Sequence, residues 1–150
     1  MLELWPVMKA LVESAGKVAS RARLGRHELI FDQPPPVPGG DDLGPSPLDV
    51  LAVSIAACAH YYAAAFLYGR GLPTEGLAVE VESEKERTPT PRIARFSMKV
   101  RLPPGLSERQ LIAVERAIKS CPAYGTLLHP PTVELTIAAD VGATGVQLSA

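Results

Sequence analysis

Cys58 and Cys121 are the only two cysteines in this 150-residue chain, 63 positions apart, and they carry the only reactive chemistry its motifs display. A thiol can ligate a metal, close a disulfide or, as a thiolate, attack an electrophile. The metal option fails on spacing, because His60 lies two residues after Cys58 and points to a different helix face. No phosphate-cradling glycine loop and no local Ser-His-Asp pattern offers a rival chemistry. Cys58 sits deep in an uncharged Ala-rich segment, SPLDVLAVSIAACAHYYAAAFLYGRG, where its bland role is that of a small buried hydrophobe. It is too far from the helix N-terminus for the dipole to lower its pKa, so an active thiolate needs a cation or donors from elsewhere in the fold. Tyr61 and Tyr62, three and four residues on, share its face, either as donors and substrate contacts or as core aromatics.

Cys121 follows a second helix in AIKSCPAYGTLL, where the dipole disfavours a thiolate. A cysteine in a mobile Pro-containing loop suits the resolving half of a disulfide, or is an ordinary loop residue. Arg21, Arg23 and Arg26 cluster on the second strand and its turn. They are charges on an exposed strand edge, or one of them supplies the guanidinium a thiolate needs. Asp49 is most simply a helix cap.

The elements that must position these residues follow from pattern. VMKALVES, KVASRARL and HELIFD alternate as short strands, and QPPPVPGGDD is a loop. The long helix opens with Ser46 as N-cap, Pro47 at the first position and Asp49 three residues on, and it ends at Gly69. GLAVEVESEKE and RIARFSMKVRL form a hairpin, in which Ile93, Phe96, Met98 and Val100 share one face if the register slips near Ala94. Ser107 and Gln110 begin an amphipathic helix in SERQLIAVERAIKS. CPAYGTLLHPP is a loop, TVELTIAAD a last strand and GATGVQLSA a loose tail. The order β-β-β-α-β-β-α-β is α+β with an antiparallel sheet and one long central helix, a single domain with its core over about 7–139.

Composition excludes several partners. A net charge of −1 gives no basic footprint for nucleic acid. Residues 50–68 carry no charge over about the length of a membrane span, but Ala, Ser, His and Tyr dominate them, so a helix enclosed by protein is expected and no membrane. The start, MLELWPVMKALVESAG, lacks a basic and then apolar leader pattern, so a cytoplasmic location with free thiols is expected. One modest sheet and one shorter helix cannot cover such a helix, and a symmetric dimer burying the region of Leu51 and Ile55 would.

GGDDLGPSPLDVLAVSIAACAHYYA resembles the signature of the OsmC/Ohr family, SCPAYGTLLHPPTVELTI resembles its second cysteine segment, and GRHELIFDQP looks like the strand entering the turn. The similarity runs over residues 17–139. It implies an intertwined homodimer with two sites at the interface and a thiol peroxidase acting on organic hydroperoxides in oxidative-stress defence. By the same resemblance Cys58 is the peroxidatic and Cys121 the resolving cysteine, and an external dithiol such as a dihydrolipoyl group is the reductant; Asp49, nine residues before Cys58, is the nearest candidate for the site acid, and Arg23, beside Arg21 and Arg26, is the candidate for its arginine. No bound cofactor or metal is implied. The chain departs from the hydroperoxide-resistance branch at Leu48, where that branch has a Glu ten residues before the first cysteine. Two other functions are compatible with the residues: an OsmC-like module binding an apolar or acyl ligand, and a disulfide-exchange or redox-sensing protein.

Overall fold

The computed structural model describes residues 7–139 and 146–149. Its elements run β1 (Leu11–Gly16), β2 (Ala19–Leu24), β3 (His27–Phe31), α1 (Pro47–Tyr68), β4 (Ala78–Glu86), β5 (Arg92–Arg101), α2 (Glu108–Lys119), α3 (Pro122–Leu128), β6 (Thr136–Ala139) and β7 (Val146–Ser149). All strand pairs are antiparallel, so the fold is α+β as expected. The strands do not form one sheet within the chain. Among the described residues they make three, ordered β1-β2-β3, β4-β5 and β6-β7.

Helix α1 starts where its sequence says it should. Ser46 Oγ accepts from the Asp49 backbone N–H at 3.3 Å and donates to Asp49 Oδ2 at 2.6 Å, with Pro47 at the first position. α2 opens with a full capping box, Ser107 with Gln110. The β4–β5 hairpin contains the expected slip. Glu84 pairs with Arg95 and Lys85 with Ile93, so Ala94 is the extra residue of a bulge. That extra residue returns Ile93 to the face of Phe96, Met98 and Val100, opposite Lys85, Ser83, Val81 and Val79.

Two segments differ from the sequence expectation. CPAYGTLL is not a loop, because Pro122 supplies the fixed φ of a first helical residue and α3 follows it. Of the expected tail, 146–149 form β7 on β6, while 142–145 and 150 lie outside the described residues. The last strand is also shorter at its start, beginning only at Thr136.

The interior centres on Ala63, Leu67 and Val114, with Phe66, Leu72, Leu77, Leu102, Leu106 and Ile118 around them. α1 packs on α2, β4 and α3. Its buried stripe is Ala52, Ile55, Ala56, Ala59, Ala63 and Leu67, mostly alanine, whereas Leu51 is 44% and Val53 59% exposed. The bulky side chains therefore point outward. Ile55, expected at a subunit boundary, is buried inside its own chain at 3% exposure. By length and composition α1 is apolar enough to cross a membrane, with a mean hydropathy of 1.8, and 33% of that stretch is buried within the chain. The chain exposes 11955 Å², against about 7,400 Å² for a self-contained folded monomer of this mass.

Candidate redox site

The two cysteines, far apart in sequence, meet where α1 passes the junction of α2 and α3. Cys58 is half-buried and Cys121 is buried, at 1% exposure. Burial pushes the Cys58 thiol above its ordinary value of 9.0, and the neighbouring Cys121 thiol pushes it further. The Ala123 backbone N–H, which interacts with the Cys58 sulfur, pulls the other way. Both sulfurs are free thiols, so the pair is a reduced dithiol with one member reachable and one enclosed. Cys121 is also placed differently from the expectation of a mobile loop. It follows Ser120, the C-cap of α2, and is itself the N-cap of α3, so the end of one helix and the start of another flank it. Their dipoles oppose each other there.

Asp49 is committed to the helix start. Besides Ser46 it holds Lys85, with Nζ–Oδ1 at 2.9 Å, and these two partners keep its carboxyl below the usual range, Ser46 more than Lys85. Arg23 lies in the β1–β3 sheet, paired with Glu13 at 2.9 Å and Glu28 at 3.6 Å, and Arg21 pairs with Glu28 at 3.1 Å. Among the described residues no cation acts on Cys58 within the chain. Tyr61 and Tyr62 pack edge to face, ring centroids 5.4 Å apart. Tyr61 is exposed and joins His60, Tyr68 and Leu77 around a hollow of about 510 Å³, while Tyr62 is half-buried. His60 thus faces the hollow, and among the described residues no three His, Cys, Asp or Glu side chains group as for a metal ion.

Sequence reading missed Asp32, the buried anchor of the loop before α1. At 2% exposure its carboxylate accepts the backbone N–H of Gln33 at 2.8 Å and those of Asp41 and Leu43 at 3.1 Å. Those N–H groups, Leu43 first and then Gln33, hold its carboxyl below the ordinary range against the opposing effect of burial. Its own N–H donates to Pro45 O at 3.4 Å, so both ends of the loop are tied to one residue. Lys17, in the β1–β2 turn, pairs with Asp41 at 2.7 Å and fastens that turn to the same loop. Gly40 and Gly44 lie so close to the carbonyls of Gln33 and Ile30 that neither has room for a Cβ. The Gly-Gly-Asp-Asp run was legible as a turn; an Asp preceding Pro-rich sequence gave no sign of the bonds it makes nine and eleven residues on.

Comparison with known proteins adds a family. A model described as OsmC-like protein matches residues 39–136, more than half of the chain. No curated protein matches it. Several solved structures share the fold. One, a protein of Psychrobacter arcticus 273-4 named for osmotic stress induction and a detoxification response, has a TM-score of 0.72 at 20% identity, over 83% of this chain and 91% of that one. An OsmC-like protein of Mycoplasma pneumoniae has a TM-score of 0.66 at 18% identity, over 86% and 91%. An organic hydroperoxide resistance protein OsmC of Legionella pneumophila has a TM-score of 0.58 at 19% identity, over 83% and 91%.

Proposed function

Because the chain belongs to the OsmC-like protein family, we propose that it is a cysteine-based thiol peroxidase that reduces organic hydroperoxides in oxidative-stress defence. The observation that carries the proposal is the pairing of the chain's only two thiols, Cys58 reachable and Cys121 enclosed beside it. The Legionella pneumophila neighbour named for organic hydroperoxide resistance supports the same reading.

The steps follow from that arrangement. Cys58 thiolate attacks the terminal oxygen of the hydroperoxide, the O–O bond breaks, and the departing alkoxide takes a proton to leave as an alcohol. Cys58 becomes a sulfenic acid. Cys121 then attacks the Cys58 sulfur, releases water and closes a Cys58–Cys121 disulfide. An external dithiol, for which a dihydrolipoyl group has the right chemistry, returns both thiols by two exchanges. No resident cofactor or metal enters. The greater exposure of Cys58 supports this division of roles, since a peroxide meets Cys58 before it can meet Cys121.

The working unit in this proposal is a cytoplasmic homodimer. The outward Leu51 and Val53, and the several thousand Å² of surface beyond that of a self-contained chain, are the reasons. A second chain also offers the route by which Arg23, remote from α1 in its own chain, approaches the site, although Leu48 supplies no carboxylate to fix it against the thiolate. Tyr61 and Tyr62 then contact the organic part of the peroxide. A second reading, a binder of apolar ligands, is favoured by the aromatic hollow beside Tyr61. One experiment separates them. Reduced protein is mixed with one equivalent of organic hydroperoxide and mapped by non-reducing peptide analysis. The peroxidase gives an intrachain Cys58–Cys121 link. Thiols that remain free, or only chain-to-chain links, overturn the assignment.

A further inference from the structure

A cleft of about 690 Å³ lies between the end of α1 and α2, lined by Phe66, Arg70, Glu108, Arg109, Ile112 and Arg116 among others. It is separate from the thiol pair: Arg70 is twelve residues beyond Cys58, about 18 Å along a helix axis. Among the described residues none of its three arginines pairs with a carboxylate, whereas Arg21, Arg23, Arg92, Arg95 and Arg101 all do. Arg26 and Arg87 also lack such a partner but stand apart from the cleft, so three of the five unpaired guanidinium groups line one place in a chain whose net charge is −1.

The three differ in what else explains them. Arg70 is held in place, its guanidinium carbon 3.8 Å from the Phe66 ring centroid and its Nη1 donating to Phe66 O at 3.4 Å. That contact also suits a helix C-terminus. Arg116 lies in the last turn of α2, where the dipole favours a cation. Arg109 has no such reason, because it lies in the first turn, at the end that favours anions. Seven residues separate Arg109 from Arg116, two helical turns, so both rise from one stripe about 10 Å apart, within reach of one anion between them. Ile112 supplies an apolar patch, Phe66 being covered by Arg70, and the Glu108 carboxylate in the lining offers hydrogen-bond acceptors.

We propose that this cleft binds a phosphorylated small molecule of nucleotide size, with its phosphate on the arginines, a hydroxyl on Glu108 and its apolar part on the Ile112 floor. Guanidinium forks match phosphate oxygens, and an open cleft of this volume admits the rest of such a ligand.

The test is titration calorimetry on the reduced full chain with adenosine monophosphate and, separately, inorganic phosphate. The expected result is one saturable site per chain with sub-millimolar affinity for the nucleotide and weaker binding of phosphate alone. Arg109→Ala and Arg116→Ala each weaken it tenfold or more, Arg95→Ala does not, and added salt reduces it. Circular dichroism of the variants checks folding. Absence of saturable binding overturns the proposal, as does an equal effect of Arg95→Ala, which marks general charge attraction. Nucleotide and phosphate binding equally well overturns the part that gives the floor a role. The peroxide reaction is read on the same samples and is expected to be unchanged, so the two functions stand or fall separately.

Discussion

The rate at which Cys58 reacts with peroxide should climb steeply with pH, because among the described residues only the Ala123 N–H stabilises the thiolate. Burial raises its pKa first and the Cys121 thiol adds to that, with only the Ala123 N–H opposing. With its pKa raised above the ordinary value, only a small minority of Cys58 is ionised at pH 7. The pH-dependent part of the rate then rises about tenfold per unit from pH 7 to 9, with no plateau in that range. A more basic thiolate is also a better nucleophile, but with a Brønsted slope near 0.4–0.5 this recovers only about threefold of each tenfold lost in population. Cys121→Ser removes the neighbouring thiol and leaves burial in place, so its profile should move to lower pH without becoming flat, and its product should be a sulfenic acid. Stopped-flow loss of free thiol after mixing reduced protein with an organic hydroperoxide gives both profiles. A rate constant that is flat from pH 7 to 9 would refute the reasoning. It would mean the thiolate already exists at neutral pH, held by a cation that a single chain does not bring to Cys58.

Asp32→Asn should unfold at lower urea than the parent at pH 7. The Asp32 carboxyl is held below 3.8, so its stabilisation is complete above the unfolded value and is lost as pH falls through the folded one. The parent should therefore lose stability on acidification below about pH 4, and the variant should lose less; parallel acid profiles would count against the clasp. Asp49→Ala should cost about 1 kcal/mol in urea unfolding and leave the peroxide rate nearly intact, whereas Leu48→Glu, on the helix side nearer Cys58, should raise that rate. A severe loss of rate in folded Asp49→Ala would make Asp49 a site acid. Leu67→Ala, at a fully buried position, should cost about 2–5 kcal/mol, and a urea midpoint close to the parent's would mean that the interior lies elsewhere. Sedimentation at micromolar concentration should show a dimer that Leu51→Glu dissociates; a monomeric parent would leave the outer face of α1 needing another cover.

What could be read from the sequence was mostly local. The caps at Ser46 and Ser107 and the slip at Ala94 each depend on residues within a few positions, and all three are present as expected. α3 was misread because Pro122 and Gly125 look like breakers, although proline is well suited to the first turn it occupies. β7 is four residues long and needs β6 to exist at all, so its own pattern carries little signal. The meeting of Cys58 with Cys121 depends on how α1 crosses the α2–α3 junction, and spacing alone could not give it; the family resemblance suggested it. Arg23 shows the limit of that resemblance, since its carboxylate partners come from β1 and β3 of its own sheet.

The loop clasped by Asp32 inverts the usual relation between position on the molecule and freedom to vary. Residues 33–44 are rich in Pro, Gly and Asp and lie largely at the surface, the profile of a segment that accepts insertions and drift. Here its backbone is held from inside by one carboxylate, and two of its glycines press against carbonyls. A lengthened loop would pull Asp41 or Leu43 off the Asp32 oxygens, and a side chain at Gly40 or Gly44 would force the main chain apart. In a map of mutational tolerance this exposed stretch would read like interior sequence, while several solvent-facing strand positions in β1–β3 changed freely. The fixed shape of the turn is thus a demand of the scaffold on its own surface, imposed before any ligand is considered.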